Sequence, residues 1–311
     1  MDSLPLISIA LCTYNGEEFL EELMDSLLAQ TYKNIEIIVV DDCSSDKTID
    51  IINAYCNRYP FIRLVQNPDN LGYNKNFEKA MGLCSGEFIA PCDQDDIWDK
   101  DKIKLQVEAI GQNLMIYHDS EFIDSHGKSM NLKISDKFNF YRGNHPGPFL
   151  FMNCVSGHSI LMQKSMITHI LPFPVGFHYD QWIAFIATNI GSIDFIEKSL
   201  VKYRQHQHNS TDLLAIRTPR KNSTERKIEK LTQESDWLKI CMEQSSKQNS
   251  SLITKLYQLS LKRNSSLASP AYGLEIWKHQ DKLLYLMKKN KVSRFFFTLR
   301  KIWGTGIKRV F

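Results

Sequence analysis

Strand-like apolar runs and helical repeats alternate four times in about the first 90 residues. Leu6 to Leu11, Ile35 to Val40, Ile62 to Val65 and Glu87 to Ala90 read as strands. Between them, Phe19, Leu20, Leu23, Leu27 and Leu28 recur at helical spacing, and Ile49, Ile52, Tyr55, Cys56 and Tyr59 mark a second helix. Asn76 to Leu83 predicts a third. The run Ile35 to Val40 is apolar almost throughout, as a strand buried on both faces must be. This order predicts an α/β fold with a mostly parallel central sheet flanked by helices. In such sheets ligands bind beyond the carboxyl ends of the strands.

Three polar clusters fall at those ends: Thr13-Tyr14-Asn15, Asp41-Asp42 and the tetrad Asp93-Gln94-Asp95-Asp96. Three carboxylates in four residues repel one another, and a divalent cation with a taste for hard oxygen ligands relieves that repulsion. Taken alone, the tetrad is also compatible with a solvated turn capping a helix that starts near Asp99. Its alignment with the other two clusters argues for the cation. No GxGxxG follows the first strand and no GxxxxGK[ST] occurs, so a dinucleotide or P-loop phosphate site is disfavoured. A carboxylate site would have to hold phosphate through a bridging metal.

Further along, Met115 to Asp119 and Ser199 to His206 read as strands, and Ile160 to Met162 is an apolar stretch behind Asn153 to His158. Residues 131–150, rich in Asn, Gly, Pro and Lys, predict a mobile loop. His178-Tyr179-Asp180-Gln181 leads into an apolar helix from Trp182 to Ala187. Seven cysteines without CxxC spacing read as reduced thiols and not as a zinc site. The opening Met1-Asp2-Ser3-Leu4-Pro5 has no basic n-region, and no run of 18 apolar residues occurs, so neither a leader nor a spanning helix is expected.

After Thr211 the composition turns polar, with helical spacing at Ile228, Leu231, Trp237, Leu238 and Cys241. Lys282 to Phe311 carries nine Lys or Arg and no acid, interleaved with Phe295, Phe296, Phe297, Leu299, Ile302 and Trp303. This reads as an interfacial contact with an anionic membrane, or else as a C-terminal helix packed on the domain. A net charge of +3 with the basic excess confined to the terminus gives no case for nucleic acid.

In order along residues 5–212, Ser8 to Asn15, Ile38 to Asp46, Asn70-Leu71-Gly72, Cys92 to Trp98, Tyr179 to Trp182 and Tyr203 to His206 together resemble family 2 glycosyltransferases of the GT-A fold. The DQDDIW form resembles bacterial enzymes that build O-antigen or capsule repeat units, such as UDP-glucose:GlcNAc-diphosphoundecaprenol β-1,3-glucosyltransferases. The resemblance implies a GT-A domain over 1–212, with donor and acceptor halves meeting near residue 100, and a mostly helical region over 213–311. It implies that Thr13, Tyr14 and Asn15 line the nucleotide pocket, and that Asp41 or Asp42 accepts from the N3–H of uracil or thymine. Asp93, Asp95, Asp96 and His206 would hold Mn²⁺ or Mg²⁺, with Asp93 also at the donor; Arg204 would touch the diphosphate and Asp180 would be the general base. Lys75 reads as a solvated lysine, and His208 lies too far along its loop.

Two positions depart from the family pattern: Cys43 replaces the usual Gly after the paired Asp, and Tyr179 precedes Asp180 where many relatives have Glu. The implied partners are a nucleotide-sugar donor and an undecaprenyl-diphosphate-linked acceptor, with the enzyme peripheral on the cytoplasmic face of the inner membrane. UDP-glucose is the first expectation for the donor, with dTDP-rhamnose and UDP-galactose as alternatives. An inactive sugar-nucleotide-binding scaffold is the competing reading from another class.

Overall fold

The computed structural model describes residues 4–207 and 224–308. His208, the expected boundary at 212 and residues 309–311 lie outside them. Four parallel strands, β1 (Ile7–Thr13), β2 (Ile35–Asp41), β3 (Ile62–Gln66) and β4 (Phe88–Asp93), pair in the order β3-β2-β1-β4. They are joined by α1 (Leu20–Leu28), α2 (Thr48–Arg58) and α3 (Tyr73–Gly82). All seven residues of β1 are buried, because it lies between β2 and β4 with helices on both faces. Alternate side chains serve two cores. Ile7, Ile9 and Leu11 meet Leu23 and Leu27 of α1, whereas Ala10 and Cys12 share a cluster with Phe77 and Met81 of α3.

The strand β4 runs three residues beyond the expected Ala90, through Pro91 to Asp93. Its pairing with the next strand stops at Ile89, so Pro91 has a ladder neighbour only on the β1 side, where it sits opposite Ala10. A residue without an N–H is tolerated at such an edge-like position.

Beyond β4 the sheet is mixed. The remaining elements are β5 (Ile97–Trp98), α4 (Lys102–Ile110), β6 (Met115–Ile123), β7 (Ser129–Lys133), α5 (Ile134–Lys137), β8 (Leu161–Gln163), α6 (Ile167–Ile170), α7 (Tyr179–Ile190) and β9 (Ile193–Arg204). The order continues β4-β8-β6-β9-β5, with β7 on β6. Four of the eight strand pairings are antiparallel, so the expected mostly parallel sheet holds for the first half only. The strands responsible include β5 and β8, two and three residues long, too short to show a period in sequence. The expected loop over 131–150 is instead packed: it contains α5 and a 3₁₀ turn, Gly147–Leu150, and buries Ile134, Phe149 and Leu150.

The C-terminal region is helical, as expected: α8 (Thr224–Gln244), α9 (Lys247–Asn264), α10 (Pro270–Lys278), α11 (Gln280–Leu283), α12 (Lys291–Lys301) and α13 (Thr305–Lys308). Trp237, Leu238, Tyr272 and Leu283 join the same core cluster as α3 and α7.

At the amino edge of the sheet, Glu36 accepts from Ser8 Oγ at 2.5 Å and from Ser85 N at 2.7 Å, while the N–H of Gly86 donates to Ser8 Oγ at 2.8 Å. A Cβ at Gly86 would lie 2.5 Å from the Leu6 carbonyl oxygen. Gly86→Ala therefore overpacks the start of β4 and is expected to cost about 1–3 kcal/mol. A urea midpoint equal to that of the parent chain would contradict this.

Candidate active site

The carboxyl ends of β1, β2 and β4 lie level. Thr13 pairs with Asp41, and Cys12 with Asp93. Asp41 turns inward, accepting from Thr13 Oγ1 at 2.8 Å and from Ser44 N at 2.9 Å. Asp42 lies on the wall of a cavity of about 890 Å³ and accepts from Asn67 Nδ2, Leu71 N and Gly72 N, each at 2.8 Å. Cys43 has φ of +66°, in the left-handed region that glycine adopts at no steric cost. The turn is thus the one that Gly would make, held by Asp41 with a strained residue in its place.

Thr13, Tyr14 and Asn15 line the same cavity. Gln94 holds that loop: its Oε1 accepts from Tyr14 N at 2.8 Å and its Nε2 donates to Tyr14 O at 3.0 Å. The fit requires Gly16, where a Cβ would lie 2.3 Å from Gln94 Oε1.

The tetrad divides by depth. Asp93 and Asp95 line the cavity, whereas Asp96 is buried beneath it. Asp96 Oδ1 accepts from Arg204 N at 3.0 Å, and its Oδ2 is 3.0 Å from His158 Nδ1. His158 is itself buried, with Nε2 2.9 Å from Ser120 Oγ. Asp93, Asp96 and His158 each offer a ligand atom within 4.8 Å of the others. Burial, and then Asp96 and Asp95, push Asp93 up to about 8. Burial also raises Asp96, against the pull of His158. Crowded carboxylates with an imidazole in reach form a donor set that fits Mn²⁺ or Mg²⁺.

His206 and Asp95 form a second pair, Nε2 to Oδ2 at 2.7 Å, with the imidazole 5.2 Å from the Phe19 ring. Arg204, expected at the diphosphate, lies instead behind the acidic loop and is not on the cavity wall. Its guanidinium donates to Asp95 O at 2.8 Å, Ser125 O at 3.1 Å and Glu22 at 2.5 Å, and sits 4.6 Å from the Phe19 ring. The resemblance implied a diphosphate contact for Arg204; in the structure these carbonyls and Glu22 engage it. Lys102 is buried nearby, 3.3 Å from the Trp98 ring centre, and burial lowers its ammonium to about 7.

The opposite wall comes from α3 and α7. Asp180 sits in the first turn of α7, after the N-cap His178, and lines the cavity together with Tyr73, His178 and Tyr179. It is therefore a residue of the helix itself. Its Oδ1 accepts from Gln181 N at 2.6 Å, and burial raises its carboxyl above the ordinary value while His178 opposes. Tyr73 Oη lies 3.0 Å from His178 Nδ1, and Asn74 Nδ2 donates to Phe177 O at 2.6 Å, so α3 is stitched to the entry of α7. Lys75 pairs with Glu78 at 2.7 Å and is not on the cavity wall.

Residues 8–169, just over half of the 311, match the sequence pattern of glycosyl transferase family 2. The chain belongs to this family. It is 28% identical over 251 residues to an uncharacterized glycosyltransferase of Haemophilus influenzae, covering 74% of each chain. It is 36% identical over 104 residues to the putative teichuronic acid biosynthesis glycosyltransferase TuaG of Bacillus subtilis, covering 33% of this chain and 41% of that one. Among solved structures it resembles S. aureus TarS 1-349 in complex with UDP, with a TM-score of 0.58, 18% identity and coverage of 89% of this chain and 78% of that chain. The fold is of the GT-A type, and the protein is a glycosyltransferase.

Within this family 2 site, His158 is the residue that sequence reasoning passed over. It closes Asn153 to His158 ahead of an apolar strand, a placement that leaves an imidazole at a strand entrance, yet its acidic partners lie more than 60 residues earlier. Asp93 titrates higher in the folded chain than its ordinary 3.8. Its contribution to stability is therefore full below that value and is lost as pH rises through about 8. In EDTA at pH 8, Asp93→Asn is expected to raise the thermal midpoint, with the gain shrinking toward pH 4 and Mn²⁺ stabilising only the parent chain. A variant that melts lower than the parent at pH 8 in EDTA would refute the repulsion.

Proposed function

We propose that this glycosyltransferase moves a hexose, glucose in the first instance, from a UDP donor to a lipid-linked sugar acceptor, with inversion at the anomeric carbon. The observation that carries this reading is the sharing of one cavity by Asp180 and the Asp93–Asp95 loop. TarS, of the same fold, has been solved with UDP and with UDP-GlcNAc, and TuaG is named for teichuronic acid synthesis. Both favour a uridine nucleotide donor and a cell-surface polysaccharide product. Thr13, Tyr14 and Asn15 flank the nucleoside, and Asp42, on the wall, is better placed than the inward Asp41 to accept from uracil N3–H.

Mn²⁺ or Mg²⁺ bound by the Asp93, Asp96 and His158 set, with Asp95 and His206 beside it, would supply positive charge for the departing diphosphate. Asp180 takes the proton from the acceptor hydroxyl as that oxygen attacks the anomeric carbon. The glycosyl–diphosphate bond breaks on the opposite side, so an α-linked UDP-hexose gives a β-linkage. Burial suits Asp180 to this role by raising its proton affinity.

The acceptor reading, GlcNAc on undecaprenyl diphosphate in O-antigen or capsule synthesis, draws on α12. Among the described residues no helix is long and apolar enough to cross a membrane. On α12, Val292, Phe295, Phe296 and Leu299 are nonetheless exposed beside Lys291, Arg294 and Arg300, while Thr298 is buried. The helix packs one face and leaves an apolar, basic one open. That pattern suits the anionic leaflet where a lipid-linked acceptor resides.

Asp180→Asn is expected to lose ~10²–10⁴-fold in turnover while still binding UDP-hexose. The assay offers UDP-glucose, UDP-galactose, UDP-GlcNAc and dTDP-rhamnose with a GlcNAc-diphosphate lipid and identifies the linkage by NMR. Near-normal turnover of the variant would remove Asp180 from the mechanism, activity indifferent to EDTA would remove the cation, and preference for another donor would replace glucose. For the membrane, cutting the chain before Lys282 would remove the buried Leu283 and Leu284, so point changes are the better test. Phe295→Ser with Phe296→Ser should weaken co-sedimentation with phosphatidylglycerol vesicles, and unchanged sedimentation would count against the docking.

A further inference from the structure

Tyr179 is held from three sides. Its ring centre lies 4.5 Å from that of Phe77, 5.6 Å from Phe173 in a stacked arrangement, and 6.4 Å from Tyr73. On the fourth side is Gly157, where a Cβ would lie 1.9 Å from Tyr179 Oη. Only a residue without a side chain lets the phenol occupy this place. The hydroxyl lies on the ring axis, so a flip of the ring does not move it.

The residue is 5% exposed, and what remains exposed lines the cavity. Among the described residues the hydroxyl makes no hydrogen bond, yet it is not one of the polar atoms sealed away without a partner, so a group in the cavity can reach it. Burial, and then the charges of Asp93 and Asp180, keep the phenol neutral. A neutral phenol both donates and accepts, as the hydroxyls of a sugar ring do.

Its place decides what it meets. The nucleoside end of the cavity is formed by Thr13 to Asn15 and Asp42, whereas the charges that bear most on Tyr179 are Asp93 and Asp180. Between a diphosphate held at Asp93 and a base at Asp180 lies the anomeric carbon and the sugar it belongs to. We propose that the Tyr179 hydroxyl reads the transferred sugar, as a fixed hydrogen-bond partner for one of its ring hydroxyls. This rests on the donor reading of the cavity given above. It makes Tyr179 a specificity-determining residue, distinct from the base beside it.

Tyr179→Phe keeps the ring and its packing and removes only the hydroxyl. Titration calorimetry of the full chain with Mn²⁺ should find UDP affinity within about twofold of the parent. UDP-glucose affinity should fall about five- to tenfold, the worth of one hydrogen bond to a neutral group. The ratio of kcat/KM for UDP-glucose over UDP-galactose should narrow by a similar factor, which a purely structural role would not produce. Equal loss for UDP and UDP-glucose would assign Tyr179 to packing, and no loss for either would overturn the inference while leaving the donor reading intact. A parent chain that binds neither UDP nor any UDP-sugar would overturn the donor reading and this inference with it.

Discussion

The register of β1 against its two neighbours is the constraint on which the site depends. Because β1 is buried along its whole length, its pairing cannot slip by one residue without turning its core face around. That register puts Thr13 opposite Asp41 and Cys12 opposite Asp93. Polar residues that end three strands are thereby brought to one level and must share one space. The sheet thus assembles a concentration of negative charge that no local sequence preference would favour, and burial raises the proton affinity of Asp93 and Asp96 in consequence.

That arrangement persists because the acidic loop is held from behind. Arg204 ties the Asp95 carbonyl to Glu22 of α1, its own N–H holds Asp96, and His158 bridges Asp96 to Ser120. These contacts join α1, β6 and β9 beneath a loop whose cavity face carries Asp93 and Asp95. Carboxylates fixed in this way need little rearrangement when a cation or donor arrives. Arg204 thus acts on the site through the backbone of the tetrad.

The first half of the fold was legible because β1 to β4 carry continuous apolar runs and their helices a clear 3.6-residue period. The clusters at the strand ends were legible too, since Asp93 and Asp95 reach the cavity from the position the alternation gives them. What sequence did not show depends on contacts between distant segments. The short strands β5 and β8 have no period to read, and His158 gains meaning only when Asp96 is beside it. The resemblance gave Arg204 a place at the diphosphate, and only the fold shows its contacts with Glu22 and with carbonyls from distant segments. The segment 131–150 has a loop-like composition, yet Phe149 and Leu150 are enough to anchor it in the core.

The clasp between Gln94 and the Tyr14 backbone bears on how such a protein can diverge. Any side chain at position 16 collides with Gln94, and loss of Gln94 leaves the Tyr14 backbone without its two partners. Positions 16 and 94, 78 residues apart, therefore behave as a single heritable character. A change at either alone gives up the clasp, because a Cβ at position 16 displaces the Gln94 amide and a shorter side chain at 94 leaves the Tyr14 backbone to water, so the two positions are coupled through one pair of hydrogen bonds.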